Sequence, residues 1–139
     1  MKKILLTGGS GYIGSILINY LLSKNYKVTV LDNLMYNQSS IINYLNNKNF
    51  DFIKGDVRDE SLVSSLIKNC DIIIPLAGLV GAPICDKYPI LAEDVNLKSN
   101  IKLINKISND QIIIMPTTNS AYGKGDKNNY CDEESKLNP

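Results

Sequence analysis

The opening of this chain admits few folds. An apolar run, Ile4-Leu5-Leu6, flows into Thr7-Gly8-Gly9-Ser10-Gly11-Tyr12-Ile13-Gly14, and apolar residues then recur at helical spacing at Ile13, Ile16, Leu17, Tyr20 and Leu21. Strand, glycine turn and amphipathic helix follow one another without a gap. Gly9, Gly11 and Gly14 fit the spacing G-x-G-x-x-G of a turn that cradles phosphate. On this reading Gly9 permits a tight turn out of the strand. Gly11 removes a side chain where a pyrophosphate must approach the backbone, and Gly14 lets the helix pack close to the sheet. The unpaired N–H groups of the helix's first turn and its dipole then face the phosphates.

A carboxylate stands where a dinucleotide site needs one. Lys27-Val28-Thr29-Val30-Leu31 reads as the second strand, and Asp32 follows it, eighteen residues after Gly14. A carboxylate there accepts hydrogen bonds from the adenosine ribose hydroxyls and repels a 2′-phosphate. Asn33-Leu34-Met35 offers no cation to receive that phosphate. The expected cofactor is NAD rather than NADP. The competing role for Asp32 is to start a turn with Asn33.

Composition narrows the rest. A chain of 139 residues suggests one domain with a modest core. Its 15 basic and 14 acidic residues are well mixed, with no basic stripe for nucleic acid. There is no histidine, which excludes Ser-His-Asp or Cys-His catalysis and any His-bearing zinc site within these residues. Cys70, Cys85 and Cys131 are too far apart for a C-x-x-C pair. They are expected as free thiols of a reducing cytoplasm, with Cys70 packed beside a strand; no metal site is expected. Met1-Lys2-Lys3 faintly resembles the start of a signal peptide, but Gly8-Gly9-Ser10 breaks the apolar region at once. The longest apolar stretch, Ile72 to Ile84, is interrupted by Pro75, Gly78, Gly81 and Pro83, so no membrane span is expected and the chain should be cytoplasmic.

Strand and helix patterns alternate. Strands are expected near Lys3–Leu6, Lys27–Leu31, Phe50–Lys54, Asp71–Pro75 and Gln111–Met115, and helices near Tyr12–Lys24, Ser39–Asn47, Glu60–Lys68 and Pro89–Ser108. Ile72-Ile73-Ile74 and Ile112-Ile113-Ile114 suit central strands buried on both faces. Asp59 is the expected N-cap of the third helix, and Leu97, Ile101 and Ile104 fall on one stripe of the last. The implied architecture is α/β: a Rossmann-type doubly wound parallel sheet in strand order 3-2-1-4-5, with ligand across the carboxyl ends of the strands.

Several local patterns together resemble the extended short-chain dehydrogenase/reductase family, the NAD-dependent epimerases and dehydratases that act on nucleotide sugars. Thr7 to Gly14 matches T-G-x-x-G-x-x-G, the form of the extended branch. Gly55-Asp56-Val57-Arg58-Asp59 resembles G-D-[IV]-R-D, and Leu76-Ala77-Gly78 resembles H-L-A-[AG] with Pro75 in place of the histidine. Val95-Asn96 resembles the Asn of the following helix. Pro116 to Gly123 resembles S-[ST]-x-x-V-Y-G, and residues 133–139 resemble the acidic segment before the catalytic helix.

The resemblance implies cofactor contacts at Gly8, Gly11, Tyr12, Ile13 and Gly14, at Asp32 and Asn33, at Asp56 and Val57 beside the adenine, and at Leu76, Ala77 and Gly78 on the nicotinamide side. It implies that the Thr118 hydroxyl bonds the substrate's reacting oxygen, and that Tyr122 packs beneath the site. Gly81-Ala82-Pro83 falls where a substrate-facing loop is expected; Gly81 and Ala82 are candidate sugar contacts, with a plain turn as the alternative.

The family's chemistry rests on Tyr-x-x-x-Lys on one helix, the lysine lowering the tyrosine's pKa. Tyr20–Lys24 and Tyr44–Lys48 have that spacing, but the expected fold keeps both pairs away from the nicotinamide. The expectation is therefore an incomplete NAD-binding Rossmann domain over residues 1–139, stopping before the sixth strand, the catalytic helix and the substrate domain. Such a chain is expected to be inactive and marginally stable alone, because an uncovered strand edge invites aggregation. The parent would epimerise or dehydrate a nucleotide sugar by transient hydride transfer, and a homodimer through the Pro89–Ser108 helix is the expected assembly. The alternative is a non-catalytic NAD-binding module or cofactor sensor.

Overall fold

The computed structural model describes residues 1–123 and 130–138. Pro139, the last residue of the acidic segment singled out above, lies outside the described residues. Five strands form one parallel sheet: β1 (Lys3–Thr7), β2 (Lys27–Asp32), β3 (Phe50–Lys54), β4 (Ile72–Pro75) and β5 (Ile112–Ile113), in the order β3-β2-β1-β4-β5. The register pairs Ile4 with Val28 on one side of β1 and with Ile72 on the other. The expected architecture and strand order are therefore present.

Strand alternation sends side chains to two cores. Ile4, Leu6, Val28 and Val30 point to one face and pack with Ile18 and Leu21 of α1 (Tyr12–Ser23). Leu5, Leu31 and Ile73 point to the other and pack with Val63 and Ile67 of α2 (Glu60–Ile67) and with Leu103. Leu6, Ile18, Leu31 and Ile73 are fully excluded from water, and burial of each such side chain contributes ~1.5–3 kcal/mol. Asp59 caps α2, its Oδ1 accepting from the N–H groups of Ser61 and Leu62 at 3.0 Å each. Cys70 packs half-buried against the second core, and burial pushes its thiol up to about 11, so it stays protonated.

Four expectations need correction. Residues 39–47 do not form a helix; only a single 3₁₀ turn, Ile42–Tyr44, is present. The backbone closes tight i−3 bonds here instead, Ile42 N–H to Ser39 O and Tyr44 N–H to Ile41 O, and the Ser40 and Tyr44 hydroxyls donate to Ser10 O and Ser15 O outside the segment. The expected helix over residues 89–108 is a compound run: α4 (Pro89–Ala92), a π-helical segment (Glu93–Lys98) and α5 (Ser99–Ile104). Ala92, Val95, Ser99 and Leu103 are its buried residues, while Leu97, Ile101 and Ile104 are 53%, 49% and 46% exposed. The helix is apolar on two sides, and the stripe read from the sequence is the outer one. Third, Ile112-Ile113-Ile114 is not a central strand: β5 is two residues long and pairs only with β4 at the sheet edge, leaving Ile112 and Ile114 about half exposed. Fourth, Gly81-Ala82-Pro83 is no plain turn. Gly81, at φ +103°, N-caps α3 (Ala82–Lys87), with Pro83 in the first helical turn, where its missing N–H costs nothing.

Candidate functional site

Every strand of a parallel sheet ends at the same edge, so the loops after β1 to β5 converge there. They enclose a cleft of about 1240 Å³ that runs from the glycine turn past Asp32 and Asp56 to Leu76–Gly78 and Thr118. Of the fifteen residues proposed from sequence for cofactor, sugar and catalytic contacts, all but Ala82 line it; Ala82 is the first residue of α3.

The glycine turn is built by close approach. Gly8 has φ +68°, and a Cβ there would lie 2.5 Å from the Ala77 nitrogen. The left-handed residue leaving β1 is thus Gly8, not Gly9. Gly9 is needed for another reason, since a Cβ there would meet the Val30 methyls at 2.8 Å. A side chain at Gly14 would collide with the Gly9 backbone, which is how α1 seats against the strand. Gly11 is the least crowded of the four: a Cβ there would approach only Gly8 O, at 3.3 Å. Gly11 also N-caps α1 without a side-chain hydrogen bond, and the first turn carries no acidic residue. The helix therefore starts with free N–H donors and its positive dipole end facing the cleft, which suits an anion.

Asp32 is 7% exposed and held at both oxygens. Oδ2 accepts from Ser10 N–H at 2.9 Å and Oδ1 from Leu34 N–H at 2.8 Å. It does initiate a turn, and it also lines the cleft, so the two readings of this residue coexist. Beyond it, Asp56 receives Arg58 in a forked pair, with Nε to Oδ1 at 2.9 Å and Nη2 to Oδ2 at 2.6 Å. The guanidinium holds the Asp56 carboxyl at about 2, against partial burial that works the other way. Arg58 is the one cation among the described residues lining the cleft, and it is committed to this pair.

On the opposite side, Leu76 N–H donates to Thr7 O at 2.9 Å and carries β4 past β1 into the cleft wall. Asn96, inside the π-helical segment, pins the next residues: its Oδ1 accepts from Leu79 N–H and its Nδ2 donates to Leu79 O, both at 2.8 Å. A π-segment at a cleft wall is a frequent companion of function. Thr118 N-caps the 3₁₀ turn Asn119–Tyr122, its Oγ1 accepting from Ser120 N–H at 3.2 Å.

The two pairs with Tyr-x-x-x-Lys spacing lie elsewhere. Lys24 sits over the Tyr20 ring at 5.6 Å, beside a separate groove on the α1 face of the sheet. Tyr44 packs on Phe50 and donates to Ser15 O at 3.2 Å. Neither pair lines the cleft. Sequence reasoning missed Met35, Tyr36 and Gln38, which line it from an irregular loop without a motif, and Arg58, whose signal lay in the G-D-V-R-D match. Among the described residues no cluster of His, Cys, Asp or Glu could hold a metal ion, and no helix is long and apolar enough to cross a membrane.

The model of the NAD dependent epimerase/dehydratase family matches residues 4–139. The chain is 34% identical, over 97% of its length, to the bifunctional polymyxin resistance protein ArnA of Wigglesworthia glossinidia brevipalpis, and covers 20% of that protein. It is 34% identical over its whole length to the dTDP-D-glucose 4,6-dehydratase of Dictyostelium discoideum, covering 36% of it. Among solved structures it resembles dTDP-glucose 4,6-dehydratase of Bacillus anthracis in complex with NAD, with TM-score 0.86 and 25% identity, over 100% of this chain and 44% of that one. The chain thus spans between a fifth and just under half of the length of the curated relatives it matches.

Proposed function

This chain belongs to the NAD dependent epimerase/dehydratase family, and from that premise we propose that it forms the NAD-binding part of an enzyme that epimerises or dehydrates a nucleotide sugar. The observation that carries the reading is the continuity of one cleft. An uncapped helix start, a buried carboxylate and a threonine hydroxyl follow one another along the carboxyl edge of the sheet.

In this proposal the pyrophosphate lies against Gly8, Gly11 and the first turn of α1, where the N–H groups of Tyr12, Ile13 and Gly14 supply donors. Asp32 and Asn33 take the adenosine ribose, and Asp56 and Val57 border the adenine. Leu76, Ala77 and Gly78 line the nicotinamide end, with Gly81 at the sugar side. Bound NAD would supply a reversible hydride acceptor there. Thr118 would orient the sugar's reacting oxygen by a hydrogen bond. No Tyr-x-x-x-Lys pair of this sequence lines the cleft, so these residues alone are expected to bind cofactor without turnover.

The Asp32 carboxylate would repel a 2′-phosphate, which favours NAD over NADP. Calorimetric titration of the purified chain tests this. Binding of NAD at least about tenfold tighter than NADP, lost in Asp32→Ala, supports the reading. Equal affinity for the two dinucleotides would overturn it. The outward stripe of Leu97, Ile101 and Ile104 supports a homodimer formed through the α4–α5 run.

A further inference from the structure

The Asp32 carboxylate is held from two sides, by the glycine turn through Ser10 N–H and by the strap of chain after β2 through Leu34 N–H. We propose that Ser40 is a positioning residue for Asp32, acting through the backbone of Ser10. The proposal rests on the cofactor reading above and adds a residue to it.

The geometry is a short relay. Ser40 Oγ donates to the Ser10 carbonyl at 2.7 Å, and Ser10 N–H donates to Asp32 Oδ2 at 2.9 Å. Ser10 is 2% exposed, and its own hydroxyl has no partner among the described residues. Its backbone alone therefore links the two. From the far side Leu34 N–H fixes Oδ1.

The strap needs the anchor. Residues 33–41 belong to no strand or helix, and Leu34 and Asn37 sit at φ +56° and +52°, positions that cost non-glycine residues free energy. Ile41 is buried beside Ser40, and Tyr44 bonds Ser15 O, so the strap's end is clamped to α1. Ser40 is the point at which that clamp reaches the turn bearing the Asp32 donor. Without its hydroxyl the Ser10 carbonyl loses its partner, the strap and turn can separate, and the Asp32 carboxylate loses its fixed azimuth toward the cleft. The effect belongs to the ribose hydroxyls alone, because only they address that carboxylate.

The test compares ADP with 2′,3′-dideoxy-ADP, by calorimetry, on the whole chain. The wild-type protein is expected to favour ADP by about tenfold or more, the worth of hydrogen bonds to a charged group. Ser40→Ala should shrink that preference to about threefold or less while leaving dideoxy-ADP affinity unchanged. Ser40→Thr, which keeps the hydroxyl, should restore it. If Ser40→Ala does not fold, Ser40→Cys, nearly isosteric and a poor donor, takes its place. Preservation of the full ADP preference, or an equal loss for both nucleotides, would overturn the role. A wild-type chain indifferent to the ribose hydroxyls would instead sink the Asp32 reading, and the Ser40 role with it.

Discussion

Two glycines of one turn should answer the same substitution differently. Gly8→Ala places a Cβ 2.5 Å from the Ala77 nitrogen at a left-handed φ, so it should destabilise the fold by about 1–3 kcal/mol in urea denaturation. Gly11→Ala meets only Gly8 O, at 3.3 Å, and should cost less than about 1 kcal/mol yet weaken NAD binding about tenfold or more by occupying the phosphate approach. Asp56 makes a prediction in pH. Its folded pKa is about 2 against an ordinary 3.8, so the ion pair's contribution is complete above pH 4 and is lost as pH falls through about 2. Arg58 is 45% exposed, which limits that contribution to about 0.5–1 kcal/mol. The stability gap between the wild-type protein and Asp56→Asn should be flat above pH 4 and close toward pH 2. Most of these residues were legible in advance, because glycine spacing and acidic residues after strands carry mechanism. The turn itself was misassigned between Gly8 and Gly9, since neighbouring glycines look alike until the packing of Ala77 and Val30 separates them.

Elements were legible where a short period met a strong boundary. α2 begins at a carboxylate cap and carries Val63 and Ile67 at a spacing of four, facing the sheet. The α4–α5 run was harder, because the wide π turn between Glu93 and Lys98 breaks the 3.6-residue period and apolar residues occupy both sides. Val95, Ser99 and Leu103 lie inward, and Leu97, Ile101 and Ile104 lie outward. If that stripe is a dimer interface, Ile101→Asp should convert a dimer to monomer in sedimentation velocity while leaving NAD affinity within about twofold, because Ile101 does not line the cleft. A wild-type chain that is monomeric at high concentration would remove the assembly from consideration. Residues 39–47 were illegible for another reason: the bonds from Ser40 to Ser10 O and from Tyr44 to Ser15 O tie the segment to the glycine turn and α1, and sequence period carries no sign of such contacts.

At the scale of the molecule, alternating patterns and right-handed crossovers leave few topologies, and the order β3-β2-β1-β4-β5 was readable for that reason. What the pattern could not show was the weight of an edge. Three isoleucines in a row read the same at 72–74 and at 112–114, but only β4 has neighbours on both sides. The strand order also places a divide beside β1. The turn after it joins β2 and β3 on one side, and the loops after β4 and β5 form the other, with the cleft lying across both. ADP should slow amide hydrogen exchange in the glycine turn, β2 and β3 but not in β5, whereas NAD should also protect Ile112 and Ile114, whose N–H groups bond Asp71 O and Ile73 O at the sheet edge. A dinucleotide bound as proposed would be a reversible staple over this divide: it would add no strand, yet neither side could open without releasing it.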